Sequence, residues 1–274
     1  MITIIPRLRI WQYRELLWTL VWKEIVVRYK QAYMGVAWTV LKPVMLMLVF
    51  TLMRGFIGIE SGPIPYPVLT FAALIPWVFF QEGVALGVMS IVVNAALVKK
   101  IYFPREVFPL MSVLTKVVEL GVDMMVLFGL MLWYRIPISA QVVWLPMLVI
   151  YLILAVLSVS LLGAALNVFY RDVSQLLPVA ISLLMYASPI IYPLSLVKHV
   201  LLEKQAAGIH SNLFYFIYTF NPVVGIVDTF QNTLLYAKPP DFQVVWPGLM
   251  LVLVILPMSY GYFKSVEPGF ADVI

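Results

Sequence analysis

Residues 142–167 read VVWLPMLVIYLILAVLSVSLLGAALN, a run without a single charged side chain. A bilayer's hydrocarbon core, about 30 Å thick, takes about 20 apolar residues of helix to cross. Lipid offers no partner to backbone N–H and C=O groups, so such a run has to be helical. Five further runs of similar character flank it, giving expected spans at 36–57, 68–93, 108–134, 142–167, 175–195 and 243–264. The 274 residues are 63% hydrophobic, with mean hydropathy +1.00, against roughly half apolar in soluble domains. The excess is laid out in membrane-length runs, not in one enlarged core. The expected fold class is therefore all-α integral membrane, with six transmembrane helices.

Lysines and arginines set the expected orientation. Arg7, Arg9, Arg14, Lys23, Arg28 and Lys30 precede the first span, Lys99, Lys100 and Arg105 follow the second, Arg171 follows the fourth, and Lys264 ends the sixth. The connection 58–67 holds no cation. This places both termini and the loops 94–107 and 168–174 in the cytoplasm. Lys198, Lys204 and Lys238 pull the other way, but they lie in a long connection, where the charge rule is weak. Within that connection, LFYFIYTFNPVVGIVDTFQNTLL (213–235) is apolar but interrupted by Asn221, Pro222, Gly225 and Asp228. It reads as two short re-entrant helices, with a seventh span as the alternative.

Residues 1–34 form a separate cytoplasmic segment before a membrane domain of 35–274. On a helical wheel Gln12, Glu15, Thr19, Lys23 and Lys30 share one side; Ile10, Tyr13, Leu17, Leu20 and Val21 share the other. Arg14, Glu24 and Arg28 intrude on the apolar side. An amphipathic helix at the membrane interface is expected, either as a lipid anchor or as a surface that also meets a partner. No short apolar core with a small-residue cleavage site precedes it, so no signal peptide is expected.

Charges inside spans are costly and therefore informative. Lys116, Glu119 and Asp123 share one face of the third span, while Lys42 and Glu82 lie inside the first two. Two readings stand: an ion or proton relay, or pairing that locks helices together. Catalytic groupings are thin. There is no cysteine, no phosphate-binding G-x-x-x-x-G-K-[ST] loop and no G-x-S-x-G elbow, and His199 and His210 make no convincing metal site. A formal net charge of +5 suits anionic lipid headgroups. Nucleic-acid binding is not expected, because little soluble surface exists to carry a basic cluster. Aromatics are 14% of the chain. Trp38, Trp77 and Phe80 belong either to an interfacial belt or to a path on which sugar C–H faces lie against aromatic rings.

KKIYFPREVFPL (99–110) packs cations, aromatics and two prolines into one short loop. Asn94 to Tyr102 fits a short helix stopped by Pro104, displaying Lys99, Lys100, Ile101 and Tyr102, with Arg105 beyond. A stiff, basic, aromatic knob suits a groove on a soluble partner; an ordinary positive-inside loop is the plainer reading.

Several stretches together resemble one family. RYKQAYMGVAWTVLKPVMLMLVF (28–50), KIYFPREVFPL (100–110), FYRDV (169–173), SPIIYP (188–193), NPVVGIVDTFQNTLL (221–235) and FADVI (270–274) are similar to the permease subunits of polysaccharide exporters of the ATP-binding-cassette type. The resemblance implies six spans, an interface helix, a coupling helix after span two and re-entrant helices before the last span. It also implies a non-enzymatic transport subunit of the bacterial inner membrane. Two copies would pair with two ATPase subunits, which bind ATP and Mg, leaving no cofactor to this chain. The cargo would be a lipid-linked glycan, with polyprenyl-pyrophosphate-linked O-antigen favoured over capsular polysaccharide, teichoic acid or small molecules. On this reading Asn94, Lys99, Lys100, Ile101, Tyr102 and Arg105 couple to the ATPase, and Arg28 and Lys30 meet the pyrophosphate. The segment KSVEPGFADVI is less basic than the family leads one to expect, which puts an ATPase contact there in doubt. The rival of another class is an ion-coupled secondary transporter using Lys116, Glu119 and Asp123.

Overall fold

The structure, a computed structural model, describes residues 12–30, 35, 37–57, 63–101, 103–206 and 211–274. Its described α-helices are α1 (Arg14–Lys30), α2 (Ala37–Ile57), α3 (Tyr66–Val93), α4 (Ala95–Lys100), α5 (Val107–Trp133), α6 (Leu145–Phe169), α7 (Val173–Tyr186), α8 (Leu194–Ala206), α9 (Ser211–Thr219), α10 (Pro222–Leu235), α11 (Phe242–Val266) and α12 (Phe270–Val273). Among the described residues there is no strand. Ile10, Tyr102 and His210 fall outside them.

α3 is the axis of the bundle, apolar on nearly every side apart from Gln81 and Glu82, and packed against α2, α5, α6 and α10. Lipid tails are as apolar as leucine, so helices in a membrane are held by close packing rather than by a hydrophobic drive. The sequence EGVALG supplies the means: Gly83 and Gly87 lie one turn apart on α3 and face Val156 and Ser160 of α6. Gly163 of α6 accepts Val88 in return. These small residues bring the α3 and α6 backbones close enough to bury Phe71, Trp77, Val88 and Ala155 completely. α2 lies at the edge of this core, with Met47 and Phe50 buried in it and Met45, Leu48, Leu52 and Phe56 exposed.

Among the described residues, four helical segments are long and apolar enough to cross a membrane, Ala37–Phe56, Tyr66–Val93, Ala140–Phe169 and Phe242–Val273, and the bent pair α9–α10 would make a fifth if taken as one span. The first three of the four match the first, second and fourth expected spans within a few residues, and Phe242–Val273 starts beside the sixth but continues past its expected end at 264. The third expected span, α5, has 27 residues and is as apolar as α2 and α11, but it carries the three charges Lys116, Glu119 and Asp123. The fifth differs from expectation. Residues 175–195 are not one helix: α7 stops at Tyr186 after 14 residues, roughly 21 Å, and α8 begins at Leu194. Pro189 and Pro193 explain the stop, since proline lacks an N–H and disfavours helix in the residue before it. Tyr66 ties this turn to α3 by donating to the Ile191 carbonyl at 2.9 Å.

The run 213–235 is broken as its composition suggested. α9 and α10 meet at 82°. Asn221 makes the corner: its side-chain oxygen accepts from Val223 N–H at 3.1 Å, with Pro222 in the first helical turn. Its amide donates to Ser188 Oγ at 2.9 Å, fixing the corner to the turn after α7.

Candidate functional site

Two polar clusters stand out in a chain this apolar. The first gathers the intramembrane charges. Lys116, Glu119 and Asp123 fall on one face of α5 because a helix brings positions three and four apart together. Lys116 Nζ donates to Glu119 within the helix and to Glu82 Oε2 of α3 at 2.6 Å. Glu82 Oε1 accepts from Lys42 of α2 at 2.7 Å. Arg28 of α1 donates to Glu119 Oε1 at 2.6 Å and to Glu24 at 3.3 Å. The result is one continuous line of ion pairs through α1, α5, α3 and α2. Lys116 and Glu119 are deeply buried, Glu82 is partly so, and Lys42 is half exposed. Asp123 is buried at the end of the line, and its Oδ1 has no hydrogen-bond partner among the described residues.

Arg28 is therefore no free cation waiting for a ligand. Burial works against its charge, but Glu119 and Glu24 outweigh that and hold the guanidinium above its ordinary range. Lys30 is exposed. A cavity of about 270 Å³ opens between Arg28, Tyr29, Trp38, Thr39, Glu82 and Glu119. Trp38 stands exposed at it, whereas Trp77 and Phe80 are buried in the core, with ring centroids 6.2 Å apart. Those two rings pack against the chain's own helices and offer no open path.

α1 packs part of its apolar surface on the bundle. Leu17, Leu20 and Val21 are buried in the cluster that holds Val107, Phe108 and Met111 of α5, while Trp18 and Trp22 are exposed. Tyr13 lies beside Phe103 and Arg105, and Arg28 reaches Glu119. Glu119 is 12 residues into α5, roughly 18 Å along its axis, so α1 runs alongside α5. Arg28, which looked like a flaw in the apolar face, is the residue that crosses to Glu119.

The second cluster surrounds the loop after α3. A short helix, α4, covers Ala95–Lys100, set off from α3 at Asn94, which leaves helical geometry (φ −99°, ψ 23°) and donates to the Ser90 carbonyl at 2.8 Å. Lys99, Lys100 and Ile101 are exposed at its end. Arg105 is not: it is buried, with its backbone N–H donating to Glu267 Oε1 at 2.8 Å and its guanidinium donating to the Glu267 carbonyl. Tyr102 lies outside the described residues. Neither the Arg105–Glu267 joint nor the Arg28–Glu119 pair carries any sequence signal beyond the presence of the charges.

The sequence signature of the ABC-2 type transporter family matches residues 15–235, which include α1, the charge line, α4 and the α9–α10 corner. The chain belongs to the ABC-2 type transporter family. The permease is 28% identical over 265 residues to an "O-antigen export system permease protein RfbA" of Myxococcus xanthus, covering 97% of each chain. It is 26% identical over 258 residues to a protein of the same name from Klebsiella pneumoniae, covering 92% of each. Membrane-length helices and family together make this permease an integral membrane protein.

Proposed function

We propose that this chain is the permease subunit of an ATP-driven exporter that carries polyprenyl-pyrophosphate-linked O-antigen across the bacterial inner membrane. The observation that carries the reading is its end-to-end likeness to permeases named for O-antigen export. Two copies would enclose the path, each with an ABC ATPase at α4. Six crossings, made by α2, α3, α5, α6, α7 together with the turn that follows it, and α11, keep both termini cytoplasmic, with α9 and α10 re-entrant and α1 at the inner interface. α5 can cross despite its charges because Lys116 and Glu119 are paired inside the bundle. In this reading α4 takes the stroke: Lys99, Lys100 and Ile101 project where a soluble subunit can grip them, with Asn94 as the joint to α3.

Arg28 and Lys30 are the proposed pyrophosphate contacts. Guanidinium groups suit phosphate oxygens geometrically, and a doubly charged headgroup is a stronger competitor than one carboxylate. Binding would thus exchange Glu119 or Glu24 for phosphate at Arg28. Trp38, exposed at the same cavity, is the proposed contact for the first sugar. The test is co-purification of the permease with its ATPase, followed by replacing Lys99 and Lys100 with alanine. The expected result is a complex whose permease-stimulated ATP hydrolysis falls at least tenfold. Unchanged stimulation, or no ATPase in the purified complex, would remove α4 as the coupler.

A further inference from the structure

The loop after α4 is bolted to the segment after α11. Besides the two Arg105–Glu267 contacts, Lys264 donates to Glu106 Oε2 and, at 2.9 Å, to Glu267 Oε2. The partners lie about 160 residues apart in sequence, so tertiary structure alone brings them together. Arg105 and Glu106 are buried, and a buried ion pair loses far more than an exposed one when a partner is removed. A second joint backs the first. Phe270 of α12 is completely buried between Phe169 at the end of α6 (6.0 Å between centroids) and Phe263 of α11 (5.3 Å), and α12 also touches α4. A cavity of about 310 Å³ bordered by Tyr13, Phe103, Lys264 and Glu267 lies at the polar joint. At that level the polar groups hold the loop together with the buried Phe103, which packs on Phe108 at 5.3 Å between centroids.

α4 is thus separated from α3 by the break at Asn94, while α12 touches it and the loop that follows it, which carries Arg105 and Glu106 into the start of α5, is joined to the end of α11. We propose that Arg105, Glu106, Lys264 and Glu267 are positioning residues that make the inner end of α11 move as one body with α4. A push on Lys99–Ile101 is then delivered to the last long helix, not only to α3 and α5. This rests on α4 being the ATPase-facing element.

The test uses the permease–ATPase complex in nanodiscs. The chain has no cysteine, so paired spin labels can be placed without background and diluted to one labelled copy per complex. One pair, Ala96→Cys with Ser265→Cys, lies across the clamp at exposed positions. The other, Ala96→Cys with Val143→Cys, runs to the far end of α6. Between nucleotide-free and ATP-trapped complexes, the 96–143 distance is expected to shift while the 96–265 distance stays fixed. Glu106→Lys is expected to broaden the 96–265 distribution, and adding Lys264→Glu is expected to narrow it again, a rescue that mere loss of folding would not allow. Only complexes that retain the ATPase are scored. A 96–265 distance that shifts with nucleotide, or a swap that rescues nothing, overturns the clamp while leaving α4 as the coupler. A fixed 96–143 distance overturns that coupling reading and the clamp with it.

Discussion

Replacing Lys116 with methionine is expected to be among the most damaging single changes in the membrane part of this protein. Methionine keeps the length and apolar stem of the side chain and removes only the charge. The Lys116 ammonium is 3% exposed and serves two carboxylates, Glu82 and Glu119, the latter 7% exposed. At the 2.6 Å separation from Glu82, an effective dielectric of about 20 gives a gross attraction of roughly 6 kcal/mol. Much of that is offset by relief of the lysine's own desolvation. Removing one partner of a buried pair has a net cost of about 3–5 kcal/mol. Glu82 keeps Lys42 and Glu119 keeps Arg28, so the loss should fall within that range rather than beyond it. Lys42→Met makes the comparison. Its partner is the same Glu82, but its side chain is 45% exposed, and pairs open to solvent contribute about 0–1 kcal/mol.

The assay is the apparent unfolding midpoint of the purified permease in nanodiscs. On the scale of 2–4 °C per kcal/mol for a chain of this order, Lys116→Met should lower it by roughly 6–20 °C, and Lys42→Met by less than about 4 °C. Adding Glu119→Gln to Lys116→Met removes a buried carboxylate that has lost one of its two cations and should recover about 1–3 kcal/mol. Equal midpoints for the two lysine variants, or a double variant worse than the single, would refute the view that burial decides how much each ion pair contributes.

Two further changes probe the packing by the same assay. Gly248→Ala places a methyl carbon 2.7 Å from the Pro222 Cα, a backbone atom with nowhere to go; a loss of about 1–3 kcal/mol is expected, whereas Gly261→Ala, which meets nothing within 4 Å, should cost nothing. Asn221→Ala removes the cap of α10 and should cost about 0.5–2 kcal/mol, with the loss of the Ser188 bond added to it.

The long, evenly apolar runs were legible because a span needs only length and hydrophobicity; three of them stand within a few residues of expectation and a fourth starts where expected but runs on to Val273. The α9–α10 corner was legible for a local reason: Asn221 and Pro222 make a cap and a helix start by themselves. The stretch 175–195 was not, because composition averages over Pro189 and Pro193 while the backbone cannot. The face shared by Lys116, Glu119 and Asp123 follows from helix geometry. Their partner Arg28, 91 residues from Glu119, follows from nothing local, and the Arg105–Glu267 joint still less. Trp77 and Phe80 show the same gap from the other side: position along a span says little about which direction inside the bundle a ring will face.

The two polar clusters occupy different levels, and α1 connects them. Near its start Tyr13 sits at the clamp that joins the loop after α4 to α11; near its end Arg28 is held by Glu119, roughly 18 Å further along α5. Leu17, Leu20 and Val21 fill the distance between with buried contacts. A helix pinned at both ends of one neighbour cannot slide along it. If α4 and its clamp are displaced, α1 must follow as a body or part Arg28 from Glu119. Parting them in the empty state leaves Arg28 only Glu24 and breaks a pair whose Glu119 side is buried, which is costly. With a pyrophosphate at Arg28, the guanidinium keeps an anionic partner throughout, and only Glu119 has to resettle on Lys116, to which it is already bonded. In the proposed function, cargo at the inner surface would therefore lower the cost of the motion that exports it, with the ion-pair line acting as a lock rather than as a relay.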